Sequence, residues 1–105
     1  MSAKQERRYV GIHNDRWGGM TDTGKIIRDA WVFGLLPETE TCEGWLQAGL
    51  EDLWRRVDAE WEKYGFQVSN LPDDVRERFL RIHDEAVKRA RELGWNPELD
   101  DEEDI

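Results

Sequence analysis

Residues 73–94 read DDVRERFLRIHDEAVKRARELG, and no other segment of the chain indicates its structure so clearly. Apolar residues recur in it at spacings of four, three, four, four and three, which is the period of one helix face. They are Val75, Phe79, Ile82, Ala86, Ala90 and Leu93. Pro72 and two aspartates come at its start and Gly94 at its end, as at the termini of many helices. The pattern predicts a long amphipathic helix.

The opposite face of this helix carries acidic and basic side chains in alternation, which is typical of a solvated surface. The whole chain has 15 basic against 24 acidic residues and a net charge of −9. Because binding to a phosphate backbone requires a basic surface, this balance argues against a nucleic-acid partner.

Two more helices are predicted upstream. Thr21 or Thr23 is placed to cap a helix over residues 22–36, which Pro37 ends. Its apolar residues cover nearly the whole circumference, so we expect it to be central. Apolar residues at spacings of three and four predict a second helix over 42–64, ended by Gly65. The predicted fold is all-α, a small bundle of three main helices.

The length of 105 residues allows one domain. We predict a flexible arm at 1–8, a single helical domain at 9–97 and a disordered acidic tail at 98–105. Six acidic residues lie in that tail, which leaves only −9 + 6 = −3 on the rest of the chain. Such a tail keeps a protein soluble, or it docks on a basic protein partner.

Cys42 is the only cysteine, so no disulfide can form within the chain. The first residues are polar rather than apolar, and no run approaches the length of a membrane span. We therefore expect a cytoplasmic protein that does not contact membranes. Cys42 is predicted near the start of the second helix as a small buried apolar side chain, since acidic neighbours oppose a reactive thiolate.

Residues 19–25, GMTDTGK, match the spacing of a phosphate-binding P-loop. However, Ile26 stands where that motif needs a hydroxyl, and the chain lacks the alternating strands and helices of P-loop enzymes. A weaker interpretation keeps Gly24 and Lys25 as a small-anion site at a helix start, with Arg16 nearby.

The loop over residues 13–19 contains the side chains best suited to chemistry. In an enzyme, His13 would act as acid and base, Asp15 would orient it, and Arg16 with Lys25 would hold an anionic substrate. In a purely structural loop, Asp15 makes a turn and Arg16 pairs with an acid. With two histidines in the chain, we expect no metal and no cofactor.

Six tryptophans divide into two groups of three. Trp31, Trp54 and Trp61 lie on predicted helix faces and are expected in the core. Trp17, Trp45 and Trp95 lie in or beside loops, where they either hold the chain ends onto the bundle or form a partner surface.

We expect a non-catalytic accessory or protein-interaction module whose partner surface involves the loops 13–19 and 37–45. A homodimer through the second or third helix is also expected. The alternative is a small anion-binding or ligand-binding protein or enzyme that uses the same loop and the Gly24-Lys25 helix start.

Overall fold

Three α-helices form the regular structure of residues 7–96, the part of the chain that this computed structural model describes. They are α1 (Asp22–Val32), α2 (Gln47–Glu62) and α3 (Asp73–Glu92). Two single 3₁₀ turns precede α1 and a third lies between α2 and α3, and the described residues contain no strand. The all-α fold is therefore confirmed. The predicted tail at 98–105 and the first six residues of the predicted arm lie outside the described residues.

α3 agrees closely with its prediction. It ends where Gly94 takes a left-handed conformation (φ 101°) and the Trp95 backbone N–H donates to the Ala90 carbonyl at 2.9 Å. The Ala90 carbonyl also accepts the Leu93 N–H at 3.0 Å, so the last turn closes on this one acceptor. Of the predicted apolar face, Ile82 and Ala90 are buried, whereas Leu93 is exposed.

α1 begins as predicted and ends earlier. Thr21 is the residue that caps it, because its hydroxyl accepts the backbone N–H of Gly24 at 3.0 Å. The helix stops at Val32 rather than at residue 36, since Gly34 turns left-handed (φ 73°) and the Leu35 N–H bonds back to Ala30. Gly34, not Pro37, therefore ends the helix.

α2 begins at Gln47, and the predicted start at residue 42 is wrong. Cys42 and Gly44 have φ values of 63° and 85°, which no α-helix accommodates. The segment that contains them instead pairs with the N-terminal residues. The backbone N–H of Tyr9 donates to the Trp45 carbonyl, and the Tyr9 carbonyl accepts the backbone N–H of Gly44, each at 2.8 Å. Tertiary pairing thus replaces the first turn of the predicted helix.

The core lies between α1 and α2 and is closed by residues from the connecting segments. α1 packs against both other helices, which confirms its central position. Ile27 and Ala30 of α1 meet Leu53 and Val57 of α2 in one fully buried cluster. Residues of the turns and loops complete this cluster: Ile12, Cys42 and Leu71.

Two polar contacts attach α3 to the end of α1 and the loop after it. Arg78 donates from Nη1 to the Val32 carbonyl at 3.1 Å. Arg81 forms a two-pronged ion pair with Glu38, at 3.1 and 2.8 Å. Neither α1, α2 nor α3 is long and apolar enough to span a membrane.

Candidate functional site: a cleft between the first and third helices

Asp15, predicted as a catalytic orienting group, holds two parts of the chain together. Its Oδ2 accepts the Tyr9 hydroxyl at 2.6 Å and the Thr21 hydroxyl at 2.7 Å, and its Oδ1 accepts the Arg16 backbone N–H at 2.7 Å. The carboxylate thereby joins the N-terminal segment to the residue that caps α1. His13 is exposed, and no hydrogen bond joins it to Asp15 in the described structure. The arrangement is that of the structural loop.

The ionisation of Asp15 contributes to stability. Partial burial by itself would raise the pKa of Asp15, but the hydrogen bonds from Tyr9, Thr21 and Arg16 outweigh it and hold the pKa below its ordinary value of 3.8. A carboxyl whose pKa is lowered by folding stabilises the fold above the unfolded pKa. That stabilisation is lost as the pH falls through the lower, folded pKa.

We therefore expect Asp15→Asn to lower the free energy of unfolding by about 1–2 kcal/mol at pH 7, because the substitution removes the charge that strengthens these hydrogen bonds. The difference from wild type should shrink between pH 4 and pH 2, since the wild-type carboxyl is then becoming protonated. Urea unfolding at pH 7, 4 and 2 measures this. Asp58→Asn, an exposed change on α2, serves as control. A difference that stays constant with pH would contradict the assignment.

The other predicted catalytic and anion-binding residues do not meet in one pocket. Lys25 lines a cleft of about 300 Å³ at the side of α1, while His13 lines a different one of about 130 Å³. Arg16 lines neither and lies over the ring of Trp17, 5.9 Å from its centroid. The predicted substrate-holding group of Arg16 and Lys25 is thus not assembled.

Gly24 has a packing role that the P-loop interpretation did not include. Its backbone N–H, which an anion would need, already donates to Thr21. A Cβ at this position would lie 2.6 Å from the carbonyl carbon of Gly19 and 2.9 Å from its Cα. Because Gly24 has no side chain, the backbone of the loop at Gly19 can cross α1 closely. This close approach explains why a glycine stands at position 24 of the motif.

The three loop tryptophans are each half-buried. Trp17 packs near the end of α3, where a Cβ at Gly94 would lie 3.6 Å from its ring. Trp45 packs on the core cluster, and the backbone N–H of Trp95 donates to the Ala90 carbonyl at the end of α3. These contacts fit the role of holding chain segments onto the bundle. The indole Nε1 of Trp17 is buried and has no hydrogen-bond partner within residues 7–96.

Trp54, by contrast, was expected in the core and is 45% exposed. Trp61, seven residues later, is buried. The seven-residue spacing places the two rings on similar sides of α2, but the face of α2 that is fully buried against α1 carries Leu53 and Val57. The prediction for Trp54 is wrong because its ring lies at the edge of that face, about 100° around the helix from Leu53.

A cleft of about 300 Å³ opens between α1 and α3. We call it the α1–α3 cleft. Its polar lining comes mainly from α1 and its apolar lining mainly from α3. The lining residues are Met20, Thr21, Asp22, Lys25, Arg28, Asp29, Val32, Phe79, Ile82 and His83. One wall is flat, because Phe79 and His83 stack with their ring planes 2° apart and their centroids 6.0 Å apart.

Arg28 is the most unusual residue of the cleft. It is only 8% exposed, and its guanidinium makes one hydrogen bond in the described structure, from Nη1 to the Gly19 carbonyl at 2.6 Å. Within residues 7–96, no carboxylate oxygen lies within 4.0 Å of it. Burial lowers the pKa of Arg28, against the opposing effect of the Asp29 charge. A guanidinium nevertheless stays charged in proteins, so this is a buried cation without an ion-pair partner.

Asp29, the next residue, has the charged partner that Arg28 lacks. Its Oδ2 accepts the Nζ of Lys25 at 2.8 Å and the indole Nε1 of Trp61 at 3.0 Å. The Lys25 side chain is 60% exposed, so the cation lies at the mouth of the cleft. The negative charge of Asp29 is thus neutralised by Lys25, not by Arg28.

Arg28 also lines a second, smaller cleft of about 130 Å³ on the other side of Ile82. Its lining includes His13, Glu38, Glu85 and Arg89. Glu38 is already bound by Arg81. The guanidinium therefore lies between two clefts, of which the α1–α3 cleft is the larger.

No protein-family model, curated protein or solved structure matches this chain. The geometry of the clefts is therefore the basis for a candidate function.

Other chemistry receives no support from the described residues. They contain no cluster of three or more side chains suited to bind a metal. Cys42 is fully buried, and burial together with the charge of Glu40 raises its pKa to about 11. A thiol in this environment is a weak nucleophile at neutral pH.

Sequence reasoning missed Arg28. The prediction for α1 considered only its apolar surface. The signal was nevertheless present, because a charge on a helix that is apolar nearly all round must be buried or must face a cleft. Lys25, predicted to hold an anion together with Arg16, lines the cleft without Arg16.

Proposed function

We propose that this chain binds a small organic anion in the α1–α3 cleft and that Arg28 is the anchoring cation. The observation that carries this is the burial of Arg28 without a carboxylate partner in the described structure. Desolvating a charge is costly unless an opposite charge and hydrogen bonds compensate it. An anion in the cleft supplies both.

The cleft also has the size and composition of a ligand site. Its volume of about 300 Å³ is at the lower end of the range for ligand pockets. Apolar walls from Phe79, Ile82 and Val32 surround a small number of polar groups, as is typical of such sites. Lys25 lies at the mouth, where its Nζ is paired with Asp29 at 2.8 Å.

The test is a titration of isotope-labelled protein, followed through its amide chemical shifts, with 3-phenylpropanoate and phenyl phosphate as probes. At least one probe should shift the amides of residues 20–32 and 79–83 and reach saturation. Arg28→Met should weaken that binding by on the order of 10–100-fold, since charged hydrogen bonds contribute about 1.5–3 kcal/mol. Arg55→Met, an exposed change on α2, should leave it unchanged.

Two results would overturn the proposal. One is that neither anion shifts amides of the cleft in the wild-type protein, a result that does not depend on the folding of any variant. The other is that a folded Arg28→Met protein, checked by its thermal unfolding midpoint, binds as tightly as wild type.

The second candidate is a non-catalytic accessory protein of the cytoplasm that binds a protein partner or pairs with itself. The exposure of Trp54 and of Phe66, at 45% and 59%, favours it, since aromatic side chains are common in interface centres. The buried free Cys42 is consistent with a reducing compartment. The acidic tail would suit a basic partner. Sedimentation equilibrium at increasing concentration tests self-pairing: a monomer at all concentrations would exclude the homodimer.

A further inference from the structure

The charges around the α1–α3 cleft limit the charge of its ligand. Lys25 and Asp29 neutralise each other through a 2.8 Å ion pair. This leaves one buried cation, Arg28, and one exposed carboxylate, Asp22, near the mouth. A single negative charge balances Arg28. A second negative charge on the ligand would meet the carboxylate of Asp22, and the lining residues include no further unpaired cation to compensate it.

The donor itself favours a planar acceptor. A guanidinium presents its N–H groups as a flat fork that matches the two oxygens of a carboxylate. The Gly19 carbonyl occupies Nη1 of Arg28 and holds the plane of the group in place. The remaining N–H groups have no other hydrogen-bond partner in the described residues. They are therefore available to an acceptor in the cleft.

The rest of the cleft suits an apolar body. The stacked rings of Phe79 and His83 form a flat wall, and Val32 with Ile82 supplies aliphatic surface. A flat or aliphatic group of modest size would bury its apolar surface here, whereas a fully polar anion would leave the apolar walls in contact with water.

We infer that the ligand is a monocarboxylate with a small apolar body, and not a phosphate or another dianion. The inference rests on the proposed function, because it specifies the anion that Arg28 anchors. The carboxylate lies on the guanidinium fork of Arg28, and the apolar body lies against Phe79 and Ile82.

The experiment compares three probes of similar shape on the wild-type protein at pH 7.5, again by amide chemical shifts. They are 3-phenylpropanoate, its neutral amide 3-phenylpropanamide, and phenyl phosphate, which is a dianion at this pH. We expect the carboxylate to bind on the order of tenfold more tightly than either of the others, as expected for one charge-assisted pair.

A conservative variant separates the shape of the donor from its charge. Arg28→Lys keeps the positive charge and loses the fork, so the carboxylate should lose on the order of tenfold in affinity while the phosphate changes little. Arg55→Lys on α2 is the matched control and should change neither affinity. A variant that loses affinity for both anions equally would contradict a role for the fork.

The outcomes distinguish the two proposals. If phenyl phosphate binds the cleft as tightly as the carboxylate or more tightly, the monocarboxylate inference is wrong and the anion-binding function stands. If the neutral amide binds as tightly as the carboxylate, or if no probe shifts the cleft amides, both are wrong.

Discussion

Replacing Gly24 with alanine is expected to lower the free energy of unfolding by at least about 3 kcal/mol, the upper range for overpacking a core. The new Cβ would lie 2.6 Å from the Gly19 carbonyl carbon and closer still to the carbonyl oxygen. Gly19 has no room to retreat, because its other side lies against Ile12 and its carbonyl is held by Arg28. Backbone atoms, unlike a flexible side chain, cannot yield locally.

Gly49→Ala provides the matched control for this change. Gly49 also lies within a helix, but its added Cβ would meet only the Trp45 ring at an ordinary 3.5 Å. Alanine is favoured over glycine inside a helix, so this variant should be more stable by about 0.5–1 kcal/mol. Urea unfolding of both variants measures the contrast. Equal effects of the two changes would show that the loop does not cross α1 as closely as described.

Trp61→Ala is expected to have a similarly large effect, about 3–5 kcal/mol, as for other buried aromatic residues. The Trp61 ring meets Phe33 and Phe79 edge-on, with centroids 5.1 and 5.9 Å away. It thereby joins the C-terminal ends of α1 and α2 to the first half of α3. The change also removes the Nε1 donor from Asp29 and leaves that buried carboxylate with Lys25 alone.

Trp54→Ala is the control, since it removes the same side chain from the same helix one heptad earlier. Because Trp54 is partly exposed, we expect a loss below about 1 kcal/mol. Thermal and urea unfolding distinguish the two variants. A large loss at Trp54 would mean that this ring is covered in solution, and the self-pairing candidate would then gain support.

Both changes act on the residues that support the α1–α3 cleft. Gly24 sets the position of Gly19, whose carbonyl orients the Arg28 guanidinium. Trp61 positions Asp29, which in turn holds Lys25 at the mouth. The stability of the fold and the geometry of the candidate site therefore depend on the same contacts.

The local sequence pattern predicted all three helices, but it did not predict where α1 ends or where α2 begins. α3 agreed because its apolar period, first-turn acids and Gly94 all indicate one structure. The start of α2 was predicted too early, since residues 42–46 pair with Tyr9 instead. Gly34 was the signal for the end of α1, and the prediction relied on Pro37 in its place.

The candidate site was predictable only in part. Lys25 and the absence of a hydroxyl after it were visible in the sequence, and both pointed away from a P-loop enzyme. The roles of Asp15 and Gly24 required the positions of Tyr9 and Gly19, which are near in the chain but are brought into contact by the irregular path of the loop. Spacing along the chain does not report which backbone atoms approach each other.

The sequence by itself determined an all-α fold with a central first helix, because periodicity and capping act between neighbours in the chain. Only the tertiary structure decided which charge is buried without an ion-pair partner. Arg28 and Lys25 both interrupt the apolar surface of α1, yet the packing of α3 encloses Arg28 while Lys25 reaches Asp29 and solvent. The Lys25–Asp29 pair is a local contact between residues four apart in one helix, whereas the burial of Arg28 follows from the packing of α3 on α1, which sequence order does not report.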